Sequence, residues 1–254
     1  MCTLSIIEYP AGGYRVVQNR DEQRSRGAAY PPAWRTLESN QTKGIRVLHP
    51  TDSDAGGTWI CVNDAGTTTG VLNYRKKDIV NEDASQSRGE IPLLMIKNPD
   101  LVSMLQMLQS MDLSVYSCFT AYAIQIVHGQ ISVLVVEWDA TELRIVRRPE
   151  DIFTPIAIAS SGLGDELVQV RVHLFSEMVT QDPTPEHQDA YHHHRWDDRP
   201  EYSVMMSRKN ARTVSIVTID VGVQGTGVFT PIMGYQELPE SDPVYDPVGA
   251  GMLQ

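Results

Sequence analysis

The sequence predicts an α+β fold, in which long antiparallel runs of strands are interrupted by blocks of helix. Three observations indicate this class: two N-terminal hairpins, a helical block between residues 90 and 114, and further strands after that block. Helices inserted as blocks, instead of alternating with single strands, disfavour a doubly wound α/β fold.

The first 75 residues are typical of β structure. TLSIIEY and YRVVQNRD flank the turn residues AGG, which predicts an antiparallel hairpin with Cys2 and Asp21 near one end. TWICVN and TTTGVLNY predict a second hairpin around the turn DAG. Residues 22–56 are rich in turn formers, so we expect them to be irregular.

The middle of the chain changes to helical spacing. Leucines and methionines recur with a helical period from Glu90 to about Ser114, with a break at Asn98-Pro99. CFTAYAIQIV, QISVLVVEW and ELRIVRR then predict three more strands.

The last third of the chain predicts one helix and two strands. We expect an amphipathic helix from about Asp165, which would bury Leu167, Val168, Leu174, Phe175 and Met178. Residues 180–201 are polar and predict a surface excursion, and ARTVSIVTIDV and TGVFTPIM predict the closing strands. We therefore expect one domain over residues 1–237, and a poorly ordered tail over residues 238–254.

Composition excludes several classes of protein. The 254 residues carry a net charge of −11, which disfavours a nucleic-acid partner because phosphate binding needs a cationic face. No apolar run is long enough to span a membrane, and the N-terminus is too broken by charge, proline and glycine for a secretion signal. The three cysteines, which cannot all pair, fit a reducing compartment, so we expect a cytoplasmic protein.

Cys2 is the main candidate for chemistry. If Met1 is removed, as is usual before a small residue, Cys2 carries a thiol nucleophile and a free α-amine whose pKa of about 8 suits a base. If Met1 stays, Cys2 is an ordinary small hydrophobic residue.

An N-terminal nucleophile needs supporting groups. A carboxylate should hold the amine, and Asp21 is the candidate; Asn73 is the candidate for binding the oxyanion. A cation would favour the thiolate, and Arg20, Arg75 and Arg212 are available. Arg20 and Asp21 point to opposite faces of a regular strand, so a structural ion pair is the alternative role for Arg20.

Six motifs in order carry a family resemblance: MCTLSII, QNRDEQRSR, PPAW, AGGTWICVNDAG, LNYR and SRG. The chain resembles the NRDE family, the group of the transport and Golgi organisation protein 2, which is named after Asn19-Arg20-Asp21-Glu22. The resemblance is strong over about 90 residues and looser to about residue 220.

The resemblance implies an N-terminal-nucleophile hydrolase fold, a four-layer αββα sandwich of two antiparallel sheets between helices. It also implies a broader similarity to choloylglycine hydrolases and penicillin acylases, which cleave linear amides. Cys2, Asp21, Asn73 and Arg212 match the positions of their nucleophile, amine-holding aspartate, oxyanion asparagine and late arginine.

Two positions depart from those hydrolases. Gln18 stands where they have an arginine, and Ser160-Ser161 stands where they have a second asparagine. Two hypotheses therefore stay open: a cysteine hydrolase of a small or lipid-like linear amide, or a non-catalytic protein that binds or transfers a hydrophobic or anionic small molecule, such as an acyl lipid or haem. The hydrolase would need no metal or organic cofactor.

The run His192-His193-His194 raises the question of a metal site. Three consecutive side chains cannot all face one ion, and the sequence has no second ligand cluster. We interpret the run as part of a solvated polar segment or as the end of a helix.

Overall fold

The structure, a computed structural model, describes residues 2–38, 44–75, 84–224 and 228–239. The strands are β1 (Cys2–Glu8), β2 (Gly13–Gln23), β3 (Tyr30–Leu37), β4 (Ile45–Thr51), β5 (Ile60–Asn63), β6 (Thr68–Asn73), β7 (Phe119–Val127), β8 (Gln130–Trp138), β9 (Leu143–Arg147), β10 (Ile156–Ser160), β11 (Ala211–Gln224) and β12 (Val228–Glu237). The α-helices are α1 (Ile91–Met95), α2 (Leu101–Ser110), α3 (Gln169–Phe175) and α4 (Pro185–His192).

The strands form two sheets, and every pairing between the named strands is antiparallel. One sheet has the order β10-β1-β2-β11-β12, and the other runs from β3 to β9 in chain order. The first sheet combines the two strands at the start of the chain with three late strands. In this sheet β1 and β2 lie between β10 and β11. Residues from the start and the late part of the chain therefore meet there.

The main core lies between the two sheets. Leu4 and Ile6 of β1 pack here against residues of the second sheet such as Leu72 and Tyr122, and all four are buried. Apolar residues on facing sheets interdigitate in this way in a sandwich, and their burial is the main favourable term for folding.

Helices cover the outer face of each sheet. Met95 of α1 and Met104 of α2 pack on Phe119 and Leu134 of the seven-stranded sheet. On the other side, α3 and α4 cover the five-stranded sheet through a smaller apolar cluster of Ile7, Phe175, Val179, Tyr191 and Val204. The predicted four-layer αββα arrangement is confirmed.

The helical region after residue 165 is less regular than predicted. It begins as a 3₁₀ turn over Asp165–Val168, continues as α3 and ends in a π turn over Ser176–Thr180. Val168 and Phe175 are buried as predicted, whereas the other three predicted core residues, Leu167, Leu174 and Met178, are half-buried.

Two segments differ from prediction. Residues 22–56, predicted to be irregular, contain β3 and β4, because an edge strand tolerates the prolines Pro31 and Pro32 that argued against a strand. Residues 180–201, predicted to be a surface excursion, contain α4, whose Tyr191 and His192 are fully buried. Of the predicted tail, residues 240–254 lie outside the described residues.

Candidate functional site

Cys2 lies at the first position of β1, where three strands meet. It pairs with Arg20 of β2 on one side and with Ser160 of β10 on the other. Its side chain is 5% exposed and lines a cavity of about 220 Å³. The predicted hairpin is therefore present, and it brings the motif around Asp21 to the same end as the thiol, as expected.

Four of the five predicted site residues line this cavity: Cys2, Arg20, Asp21 and Asn73. Asn73 is the last residue of β6, is half-buried and has no side-chain hydrogen bond within the described part of the chain. Arg212 lines a neighbouring cavity instead, where its Nη1 donates to the carbonyl oxygens of Thr213 and Leu238, each at 3.1 Å.

The nitrogen of Cys2 is held by a serine. It donates to Ser160 Oγ at 3.1 Å, and the same hydroxyl donates to the carbonyl oxygen of Cys2 at 3.4 Å. Met1 precedes this nitrogen in the chain, so it is an amide until Met1 is removed. Ser160 occupies one of the two positions at which the sequence departs from the hydrolases, and it contacts the atom that would become the amine.

Arg20 is fixed in an ion pair on the cavity wall. Its Nη2 lies 2.5 Å from Asp52 Oδ2, and its guanidinium carbon stacks 4.6 Å from the ring centroid of Trp59. Arg26 contacts the other oxygen of Asp52 at 2.8 Å. Glu22, the acid two residues along the same motif, is farther from Arg20, at 3.6 Å.

Asp21 points away from Arg20, towards the helical layer. Its Oδ2 accepts from Arg171 Nη1 at 3.1 Å, and its Oδ1 accepts from Thr213 Oγ1 at 2.6 Å. Arg171 also donates to Thr3 Oγ1 at 2.8 Å, and both Asp21 and Arg171 are buried. The side chains of Arg20 and Asp21 thus point to opposite faces of β2, as expected of a regular strand. The neighbouring strand β11 is irregular instead, because its register with β2 shifts between Thr213 and Ser215.

Asn19 lies on the same helix-facing side of β2 as Asp21, and its side chain forms hydrogen bonds that stabilise the packing there. Its Nδ2 donates to the carbonyl oxygens of His192 and Val204, while its Oδ1 lies 2.7 Å from His192 Nδ1. His192 Nε2 lies 2.7 Å from Ser5 Oγ. Burial holds the pKa of His192 well below its usual range, so the ring is neutral. His192 is the last residue of α4, so the predicted helix end is confirmed, whereas the alternative of a solvated segment is wrong for this histidine.

Arg88 is a cation of the cavity that the sequence reasoning did not single out. Burial lowers its pKa, and a negative charge on the nearby Cys2 sulfur opposes this shift by favouring the charged guanidinium. Its Nη1 donates to the carbonyl oxygen of Cys118 at 2.9 Å. The SRG motif contains Arg88, and the motif's position in the family pattern was the signal available from the sequence.

Two glycines bring Arg88 to the cavity. A Cβ on Gly57 would lie 2.6 Å from the carbonyl carbon of Gly89, so the two backbones approach too closely for any side chain at this position. Thr58 N donates to the Gly89 oxygen at 2.9 Å and fixes the contact. Gly57 of the AGGTWICVNDAG motif and Gly89 of the SRG motif therefore have a steric explanation.

Asp165 ties the loop after β10 to the end of β6. Its two carboxylate oxygens accept from Ser161 N at 2.7 Å and from Arg75 N at 2.9 Å. Burial raises its pKa to about 6 despite these hydrogen bonds. Arg75, named as a possible cation for the thiol, is thus positioned through its backbone by Asp165.

The environment of the Cys2 thiol favours its neutral form. Burial raises its pKa above the ordinary 9.0, and the negative charge of Asp21 adds to the shift; a hydrogen bond from Gln18 and the charge of Arg20 act in the opposite direction. Gln18 is itself held, since its Oε1 accepts from Tyr122 Oη at 2.7 Å. Attack by this thiol therefore requires a base that removes its proton.

We expect alkylation to report this environment. Because only the thiolate reacts, the iodoacetamide labelling rate of Cys2 should still increase as the pH rises through 9. Cys61, whose pKa burial raises to about 12, should stay unlabelled over the same range. Mass spectrometry of peptides from protein labelled between pH 7 and 10 measures both rates. A Cys2 rate that is already constant below pH 8 would contradict this description.

The described residues also bear on metal binding and on membrane insertion. The described part of the chain contains no group of three or more histidine, cysteine, aspartate or glutamate residues that could hold a metal ion. None of its helices has the length and apolarity needed to cross a bilayer.

Comparisons with known proteins address the family and the fold. The family model described as Transport and Golgi organisation 2 matches residues 1–194. No curated protein matches at a significant level. Among solved structures, a mutant of the conjugated bile acid hydrolase from Clostridium perfringens is similar at 12% identity and a TM-score of 0.48, over 94% of this chain and 92% of that chain.

A second solved structure gives a similar picture. The Caenorhabditis elegans orthologue of N-acylethanolamine-hydrolyzing acid amidase is similar at 11% identity and a TM-score of 0.39, over 85% of this chain and 92% of that chain. At these identities and scores, neither similarity bears on substrate or activity.

Proposed function

The chain belongs to the Transport and Golgi organisation 2 family, and from this premise we propose that it is a cysteine hydrolase that cleaves a linear amide of a small or lipid-like substrate. The observation that carries the proposal is the cavity shared by Cys2, Arg20, Asp21 and Asn73. Cys2 and Asn73, which are 71 positions apart in the sequence, both line this cavity. Removal of Met1 would make Cys2 the N-terminal residue.

The first half of the reaction forms a thioester. The Cys2 sulfur attacks the amide carbonyl carbon while the α-amine of Cys2 takes the thiol proton. The carbonyl oxygen becomes an oxyanion, which Asn73 and backbone N–H groups bind. The carbon–nitrogen bond then breaks, and the α-amine passes its proton to the leaving amine.

The second half consumes one water. The α-amine takes a proton from water as the hydroxide oxygen bonds to the thioester carbon. The carbon–sulfur bond then breaks, and the α-ammonium returns its proton to the leaving sulfur. The products are a carboxylic acid and the restored Cys2 thiol. Balanced over both halves, one amide and one water give one acid and one amine.

The supporting roles follow from contacts. Ser160 accepts a hydrogen bond from the Cys2 nitrogen, which orients that nitrogen. Asp21 acts electrostatically on Cys2 from the helix-facing side of β2, and we assign its charge to favour the protonated amine. Arg20 and Arg88 lie where they stabilise thiolate character during attack, since each interacts electrostatically with Cys2. Arg212 is assigned to substrate binding, because it lines the adjoining cavity.

A substrate panel tests the proposal. Full-length protein lacking Met1 is incubated with N-acyl amides that differ in acyl length and in the amine, and the release of primary amine is followed. We expect steady release from at least one amide. Binding without release across the panel would overturn the hydrolase and support the second candidate.

The second candidate is a non-catalytic protein that binds or transfers a hydrophobic or anionic small molecule. Two observations favour it: the neutral Gln18 beside the thiol and the raised pKa of Cys2. Under either candidate we place the protein in the cytoplasm, because Cys2, Cys61 and Cys118 are all free thiols.

A further inference from the structure

Arg88 differs from the other two arginines that line the Cys2 cavity, because no carboxylate pairs with it in the described part of the chain. Arg20 is held by Asp52 at 2.5 Å, and Arg26 by the other oxygen of Asp52 at 2.8 Å. The Arg88 side chain is nevertheless half-buried. A guanidinium that is taken partly out of water without a counter-ion costs free energy, which a bound anion would recover.

The hydrogen bonds of Arg88 leave one edge of its guanidinium open. Nη1 donates to the carbonyl oxygen of Cys118 at 2.9 Å. Nε and Nη2 have no hydrogen-bond partner among the described residues, and neither atom is closed off from solvent. The N–H bonds of these two nitrogens run parallel along one edge and match the two oxygens of a carboxylate. Arg88 therefore has a two-donor fork free for a ligand in the cavity.

The chain around Arg88 is fixed by backbone contacts on both sides. After it, the carbonyl oxygen of Gly89 accepts from Thr58 N at 2.9 Å. Before it, Gln86 N donates to the carbonyl oxygen of Val115 at 3.0 Å. A guanidinium that is oriented in advance loses little freedom when it binds a ligand.

The charges around the cavity balance. Three acids form ion pairs with the other two arginines: Glu22, Asp52 and Asp54. With Arg88 included, three positive charges face three negative ones, and Asp21 pairs with Arg171. Recognition of an anion therefore depends on direct contact with the Arg88 fork and not on attraction from a distance. A carboxylate, with one charge, suits this balance better than a phosphate, whose charge is about −1.5 to −2.

The cavity is small and partly lined by hydroxyl groups. Its volume of about 220 Å³ is below the roughly 300 Å³ at which pockets for drug-sized ligands begin. Thr58 and Ser117 are among its neutral polar wall residues. Arg88 and the Cys2 sulfur interact electrostatically, so one small molecule can meet both. An occupant that does so is short and polar.

We propose that Arg88 binds a carboxylate of the substrate, so that the molecule cleaved at Cys2 is a short amide with a carboxylate close to the scissile bond. The position of the amide rests on the proposed function. The recognition of the carboxylate rests on Arg88 alone, and a molecule that binds without being cleaved would use it equally.

Alkylation of Cys2 tests the carboxylate site without any amide cleavage. Iodoacetate and iodoacetamide both form a sulfur–carbon bond with the thiolate and release iodide, but only iodoacetate carries a carboxylate. Each rate at Cys2 of the full-length protein, from peptide mass spectrometry, is divided by the rate of the same reagent with 2-mercaptoethanol. Because both reagents need the thiolate, the ratio of the two normalised rates does not depend on how much thiolate Cys2 forms.

We expect this ratio to favour iodoacetate about tenfold, and the iodoacetate rate to saturate as its concentration rises, because the reagent first binds to Arg88. A ratio of one or less would overturn the proposal.

Arginine variants locate the preference. Arg88→Met should lower the ratio to about one, and Arg88→Lys, which keeps the charge but loses the fork, should lower it to about threefold. Arg46→Met, on the exposed β4 position that stacks on Trp34, is the control and should keep the full ratio. An unchanged ratio in Arg88→Met would overturn the proposal. If Arg88→Met does not fold, an unchanged ratio in Arg88→Lys would do the same.

Matched neutral probes show on which side of the amide the carboxylate lies. Calorimetry on full-length Cys2→Ala protein compares N-acetylglycine with N-acetylglycinamide, where the carboxylate is on the amine side. It also compares succinamic acid with succinamide, where the carboxylate is on the acyl side. We expect the carboxylate form to bind about tenfold more tightly in one pair, which identifies the side. Equal affinity within both pairs, or no binding of any probe, would overturn the proposal.

The outcome is separable from that of the hydrolase. A preference for iodoacetate without cleavage of any amide would keep the carboxylate site and remove the reaction. Cleavage of amides without a carboxylate preference at Cys2 would remove the site and leave the reaction.

Discussion

Replacing Cys2 by alanine is expected to lower kcat for amide cleavage by at least about 1,000-fold, because nothing else in the cavity can form the thioester. Alanine is also small, so Met1 should be removed from the variant as from the wild type. The comparison therefore removes the sulfur and keeps the α-amine. Initial rates of amine release on the best substrate of the panel measure the effect.

The matched control for this variant is Cys61→Ala. Cys61 is a buried thiol that contacts Thr69 Oγ1 and lies outside the Cys2 cavity. Its loss should leave the kcat of the folded enzyme within about threefold of the wild-type value. Cys2→Ala protein that retains most of its activity would remove Cys2 from the reaction.

Replacing Asp21 by asparagine is expected to lower the free energy of unfolding by about 3–5 kcal/mol, because the buried Arg171 loses its counter-ion. Asparagine keeps the size of the side chain, so the change is one of charge. Urea denaturation at pH 7, followed by circular dichroism, measures the free energy of unfolding. A loss of less than 1 kcal/mol would contradict the buried ion pair.

Two further variants show that the effect comes from burial of the pair. Asp189→Asn breaks the contact of Arg15 with a half-exposed acid, at 2.8 Å, and should cost less than about 1 kcal/mol. Arg171→Met combined with Asp21→Asn should be less destabilised than the sum of the single variants, because no buried charge then lacks its partner.

Much of the fold could be predicted from local patterns. The hairpin of β1 and β2 followed from two apolar runs around a glycine turn, and its register delivered the predicted proximity of Cys2 to the NRDE motif. The break at Asn98-Pro99 separates α1 from α2 as predicted. Such features depend on neighbours in sequence, which is why they are readable there.

The incorrect interpretation of His192 and the missed role of Arg171 share a cause, which is tertiary burial of polar residues. His192 reads as solvated because histidine runs usually are, but Asn19 and Ser5 on the sheet satisfy both of its ring nitrogens. Arg171 was unnoticed because its partner Asp21 is 150 residues away. The sequence carries no local signal for such pairs.

The site was predictable where one strand register defines it, and less so where several loops converge. Arg20, Asp21 and Asn73 line the Cys2 cavity. The two hairpins and the order of the motifs were enough to predict this. Arg88 depends on the contact of Gly57 with Gly89, and Arg212, which lines the neighbouring cavity, lies next to a register shift in β11. Neither contact has a local pattern.

The central claim is that the thiol and the leading amine of the mature chain belong to one residue. Intact mass spectrometry of the full-length protein from cells, before and after reaction with an electrophilic amide-like probe, tests it directly. We predict a chain shorter by Met1, with one adduct that maps to Cys2. Retention of Met1, or an adduct only on Cys61 or Cys118, would contradict the account.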